Sequence, residues 1–141
     1  MTGPCPCGGF SYDSCCGPLH RGEKTATTAE QLMRSRYSAY ALGLEDYLLD
    51  THQSRQSRAR RRRDLQASLG KLDWQGLRIL DRQDGGATDL SGTVTFEARY
   101  RYAGQLAVLR ECSRFGRENN RPDGRWLYQE ALQLTDSGVD G

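Results

Sequence analysis

Ser91-Gly92-Thr93-Val94-Thr95-Phe96-Glu97-Ala98-Arg99-Tyr100-Arg101-Tyr102 alternates from beginning to end. Val94, Phe96, Ala98, Tyr100 and Tyr102 fall on one side of an extended chain, and Thr93, Thr95, Glu97, Arg99 and Arg101 fall on the other. Such a run is a half-buried strand, and it needs partners. Residues 74–82, 105–117 and 125–134 have strand texture. Asp84-Gly85-Gly86, Ala103-Gly104 and Pro122-Asp123-Gly124 are turn signals between them. Upstream of residue 70 the period changes. Thr27-Thr28-Ala29-Glu30 has the form of a capping box, in which a Thr hydroxyl and Glu30 satisfy reciprocal backbone donors at a helix start. Met33, Tyr37, Tyr40 and Leu44 then recur at helical spacing, with Gly43 as a stop. A short helical turn over 45–49 and a helix over 58–69, carrying Leu65 and Leu69 on one face, follow. Helices first and an antiparallel meander afterwards argue for an α+β domain with helices packed on one face of the sheet.

Outside that frame lies Cys5-Pro6-Cys7-Gly8-Gly9-Phe10-Ser11-Tyr12-Asp13-Ser14-Cys15-Cys16, which holds four of the five cysteines. Four soft thiolates on one short loop are a complete ligand set for tetrahedral Zn²⁺. Gly8 and Gly9 supply the backbone freedom that lets the two pairs converge. The first fifteen residues show no basic segment followed by an apolar one, so export is not expected and the thiols should stay reduced in the cytoplasm. A redox Cys-x-x-Cys before a helix is absent. Structural zinc on Cys5, Cys7, Cys15 and Cys16 is therefore the preferred reading over a disulfide. His20, four residues on, is a substitute ligand that a complete cysteine set does not need. Phe10, Tyr12 and Leu19 are expected either exposed on the knuckle or packed against the main domain. Cys112, in a strand-like run, is expected to be a small buried apolar residue.

At 141 residues and 36% hydrophobic content the chain has room for one domain with a lean core and a small appendage. The boundaries expected are a knuckle over 1–22, a polar linker over 18–27 leading into a main domain over 27–134, and a frayed tail over 135–141. No apolar run approaches the roughly 18 residues needed to span a bilayer, which again points to the cytoplasm. The formal charge of +2 falls to zero once four thiolates and one divalent cation are included, so overall charge makes no case for nucleic acid.

Local features leave three roles open. Arg58, Arg60, Arg61, Arg62 and Arg63, with Arg55 before them, could contact RNA phosphates, or could be a solvated helix face paired with acids on the sheet. A pocket lined by Tyr37, His52 and Trp126 would be the default small-ligand site, with His52 as a base near neutral pH. No Ser-His-Asp or paired-carboxylate spacing supplies His52 with an oriented partner, so a non-catalytic role is preferred to an enzyme. Arg34 or Arg36 could tie the first helix to a sheet carboxylate such as Glu111, with an anion-binding role inside the cone as the alternative.

The segment from Pro4 to Gly17 resembles a SEC-C motif, the zinc-binding element also found at the C-terminus of the SecA translocation ATPase. Residues 32–40 (Leu-Met-Arg-Ser-Arg-Tyr-Ser-Ala-Tyr), with Ser113-Arg114-Phe115 and Gly124-Arg125-Trp126-Leu127-Tyr128, are similar to the bacterial YchJ family. Gly9 and Phe10 stand where many SEC-C motifs have Ser-Gly. The resemblance implies a SEC-C knuckle joined to a cone-like domain of the nuclear transport factor 2 type, with no settled biochemical activity. By analogy it suggests a docking role toward a protein or ribosomal partner.

Overall fold

A computed structural model describes residues 3–137. Helices α1 (Gly17–His20), α2 (Ala29–Leu42), α3 (Glu45–Asp50) and α4 (Arg58–Ser68) precede strands β1 (Asp73–Asp84), β2 (Ser91–Tyr102), β3 (Gln105–Arg117) and β4 (Trp126–Asp136). The strands form one antiparallel meander in sequence order. The α+β architecture expected from the pattern is present, and β2 and β3 have the boundaries that the alternation predicts.

Local chemistry explains most element ends. Thr28 caps α2 by accepting the Gln31 N–H at 3.1 Å. The reciprocal half of the box comes from Gln31, whose side chain accepts from the Thr27 N–H at 2.7 Å. Glu30, the residue expected there, turns outward to Arg34 (2.8 Å) and to Arg82 of β1 (2.7 Å). Ala103 and Gly104 both sit at positive φ, as a two-residue hairpin between right-twisted strands requires. The segment expected as a plain linker begins with α1, started by Pro18.

The sheet is bent by irregularities in β1, between Trp74 and Gly76 and between Ile79 and Asp81, and by two more where β3 meets β4. Bulges bend a strand and sharpen its twist, which curls the meander around α2. Val94, Phe96, Ala98 and Tyr100 of β2 are buried under the helix, and Phe115 of β3 is 0% exposed. Tyr102, beyond the helical cover, is exposed. Cys112 pairs with Thr95 on the outer face and is half-buried, so it is not the core residue expected. Residues 35–39 of α2 are all buried, so the helix is enclosed around a full turn.

One expected boundary shifts. Thr135 and Asp136 pair with Arg110 and Leu109, which extends β4 into the segment expected as tail. Residues 138–141 of that tail, and residues 1 and 2 of the knuckle, lie outside the described residues. Helix α4 has no buried side chain; Leu65 and Leu69 are only half-buried. Among the described residues no helix is long and apolar enough to cross a membrane.

Candidate metal centre

The N-terminal loop folds back on itself through Cys5 N–H to Gly9 O (3.0 Å), Gly8 N–H to Cys5 O (2.9 Å) and Tyr12 N–H to Gly3 O (3.1 Å). Gly8 takes φ +100°, which few L-residues adopt. Gly9 is needed for room instead: a Cβ there would lie 2.6 Å from Cys15 Sγ. Cys15 and Cys16 arrive on the stretch between a single 3₁₀ turn (Tyr12–Ser14) and α1. The loop brings the sulfurs of Cys5, Cys7, Cys15 and Cys16 within 4.8 Å of one another. Cys7 lies 3.5 Å from Cys15 and 3.7 Å from Cys16, and Cys15 lies 3.9 Å from Cys16.

Those distances fit a metal. An ion held about 2.3 Å from four tetrahedral thiolates spaces them about 3.8 Å apart. All five cysteines are free thiols. The electrostatics agree. Hydrogen bonding from Cys16 draws the Cys7 thiol down to about 4, and the same contact pushes Cys16 up. Burial, then the contact with Cys7, pushes Cys15 up to about 12. Crowded thiols alone thus favour one thiolate and resist the others, and a divalent cation removes that conflict by charge. The four residues can hold a metal ion, and a set of four thiolates closes the tetrahedron, leaving no position for a reactive water. Gly9→Ala is expected to weaken metal binding at least tenfold, read by competition with a chromogenic chelator, because the new methyl group must displace Cys15 Sγ.

Helix α2 supplies the support. Ser38, fully buried, donates to Cys16 Sγ (3.3 Å) and lies 3.5 Å from Cys5 Sγ. Arg34 donates to the Cys7 carbonyl at 3.0 Å. His20 is not a ligand. Burial lowers its pKa, and the neutral ring donates from Nε2 to Ser35 O (2.8 Å) while Nδ1 accepts from the Tyr12 hydroxyl (2.6 Å). These partners assign its tautomer. Tyr12 and Leu19 pack inward, and Cys5, Cys7, Tyr12 and Cys16 share one core with Leu32, Met33 and Phe96. Phe10 projects outward, 98% exposed.

Tyr37, His52 and Trp126 do not meet in one pocket. Tyr37 lines a cavity of about 240 Å³ inside the cone, with Trp74, Arg36, Glu111 and Tyr128. His52 leaves the end of α3 on the far side of Tyr128 and lines a shallow surface hollow with Arg58 and Arg61. Burial, aided by Arg36 and Arg61, lowers its pKa to about 4, so it is a poor base at neutral pH. Trp126 lies at the start of β4 and donates its indole N–H to Thr27 O at 3.1 Å, beside a different hollow.

The arginine run is partly tied down. Arg58 pairs with Asp50 (2.7 Å) and Asp46 (3.4 Å), and Arg62 with Asp46 (2.6 Å) and Glu45 (3.3 Å). Arg61 donates to the carbonyls of Leu49 and His52. These acids lie on α3 rather than on the sheet, so the run straps α4 to α3. Arg60 and Arg63 remain exposed.

The tie expected from Arg34 or Arg36 to Glu111 is not made as an ion pair: Arg34 pairs with Glu30 of its own helix, and Arg36 takes neutral acceptors instead. This residue donates through Nη1 to Leu48 O (2.9 Å) and Thr51 Oγ1 (2.7 Å), under the ring of Tyr128. Glu111 accepts from Tyr128 (3.2 Å) and from Ser113. What sequence reasoning missed are the neutral partners, Thr51 at the end of α3 and Ser113 of β3, for which the sequence carries no signal.

A family model for the middle, NTF2-like domain of YchJ matches residues 28–131. A UPF0225 protein of Streptomyces coelicolor is 47% identical over 130 residues, covering 92% of this chain and 94% of that one. A UPF0225 protein of Cupriavidus metallidurans is 45% identical over 127 residues, with 89% and 85% covered. Two SEC-C motif containing proteins share the fold. The solution structure of one from Rhodopseudomonas palustris superposes with TM-score 0.75 at 34% identity, covering 94% of this chain and 99% of that one. The crystal structure of another, from Psychrobacter arcticus, does so with TM-score 0.77 at 25% identity, with 94% and 82% covered. With its cysteine cluster folded against a cone matched by that family's model, the chain belongs to the YchJ (UPF0225) family.

Proposed function

We propose that this protein is a zinc-binding, non-catalytic interaction module whose knuckle docks onto a protein partner, free or on the ribosome. Zinc is the ion that best suits four thiolates in tetrahedral array with no redox demand. The reduced thiols the site requires are those of the cytoplasm. One observation carries the docking reading: Phe10 stands 98% exposed on the loop between the cysteine pairs, while Tyr12 and Leu19 of the knuckle are buried. An aromatic side chain held out by a metal-stiffened loop loses little freedom on binding, which is what an anchor residue needs.

The test is affinity capture from lysate with wild-type and Phe10→Ala protein, quantified by isotope-labelled mass spectrometry. Capture of the specific partner is expected to fall at least tenfold. Metal content and Tm should match wild type, because Phe10 contacts nothing in the core. Undiminished capture by the variant would overturn the reading.

A further inference from the structure

The cone cavity sets opposite charges in an apolar chamber. Its walls include Tyr37, Tyr40, Trp74 and Tyr128, with Arg36 and Glu111 exposed to the same space. Arg36 is 5% exposed, and its acceptors are neutral: a carbonyl and a hydroxyl, both on Nη1. The Nε–Nη2 edge, which takes a carboxylate side-on, makes no hydrogen bond to the protein among the described residues. Glu111 is oriented in the same way by neutral donors, Ser113 and Tyr128, which engage Oε2 and leave Oε1. Neither residue joins an ion pair among the described residues. Each is the other's counter-charge across the chamber, but without a direct ion pair one polar edge of each is left open to a ligand.

We propose that the cavity binds a small zwitterion with an amino-acid-like head group and an apolar body. The carboxylate lies against the Nε–Nη2 edge of Arg36, the ammonium against Glu111, and the body against the ring faces of Trp74 and Tyr37, which meet edge-on with centroids 5.7 Å apart. A cavity of about 240 Å³ suits a single amino acid rather than a nucleotide or a peptide. The head group would give each of the two charges a direct ionic partner at once, which water cannot do. The site is separate from the knuckle and does not depend on the docking role.

Calorimetric titration of the zinc-loaded protein with L-phenylalanine, L-leucine and L-tryptophan tests this. At least one is expected to bind one per chain. Its two half-molecules, lacking the ammonium or the carboxylate, should bind at least tenfold more weakly. Glu111→Gln keeps acceptors for Ser113 and Tyr128 and should abolish the preference for the zwitterion over the deaminated acid. Arg36→Lys, checked for folding by circular dichroism, should weaken both ligands. No binding of any of the three at millimolar concentration overturns the proposal. So does binding that Glu111→Gln leaves unchanged.

Discussion

The double variant Cys15→Ala/Cys16→Ala is expected to purify with a metal-to-chain ratio near zero, where wild type gives a ratio near one. It should also melt on the order of 10 °C lower, corresponding to a loss of about 4 kcal/mol or more. Two remaining sulfurs cannot close a tetrahedron, and a loop this short buries too little apolar surface to hold its shape alone. The damage should extend beyond the loop. Cys16 is 2% exposed and accepts from Ser38 of α2, so its removal leaves a buried hydroxyl short of an acceptor and opens a gap beside the core. Elemental analysis and differential scanning calorimetry on the same sample read both effects. Stripping wild type with a chelator under reductant should reproduce the shift, and an unchanged melt in both cases would mean that no ion supports the knuckle.

Trp126→Ala should be the most damaging single change in the sheet, costing about 3–5 kcal/mol in urea unfolding. The ring is 2% exposed, carries the Arg117 guanidinium 4.5 Å over its centroid, and anchors the start of α2 through Thr27 O. Three contributions vanish together: packing, the cation–π contact and the hydrogen bond. Trp126→Phe keeps most of the packing and should lose only about 1–2 kcal/mol. Equal stability of the two variants would show that the packing a phenyl ring restores contributes little and that the indole itself carries the effect.

The strands were legible because one face of the meander is buried and the other is not, so hydropathy records the pleat directly in residues such as Val94, Phe96 and Ala98. The cysteine cluster was legible for a different reason: thiolate chemistry is so specific that spacing along the chain nearly suffices. Depth was not legible. Periodicity places Tyr37 and Arg36 on α2 without revealing that the helix is enclosed around residues 35–39, where a guanidinium goes inward. Nor could it show that β4 carries Trp126 to the helix start while Tyr128, two residues on, reaches the cone. His52 looked like a pocket residue because it is the one histidine of the main domain, but its position depends on where a short helix ends. The choice of Gln31 over Glu30 for the cap turned on which of two adjacent side chains Arg34 and Arg82 would claim.

Helix α2 presents Ser38 to the thiol loop and Arg36, Tyr37 and Tyr40 to the chamber on the other side. A rod wedged between two interiors cannot roll to relieve a poor fit on either flank without spoiling the other. Variation across relatives should therefore collect in the hairpin tips and the outer strand faces, leaving this one turn as the most constrained stretch of the chain.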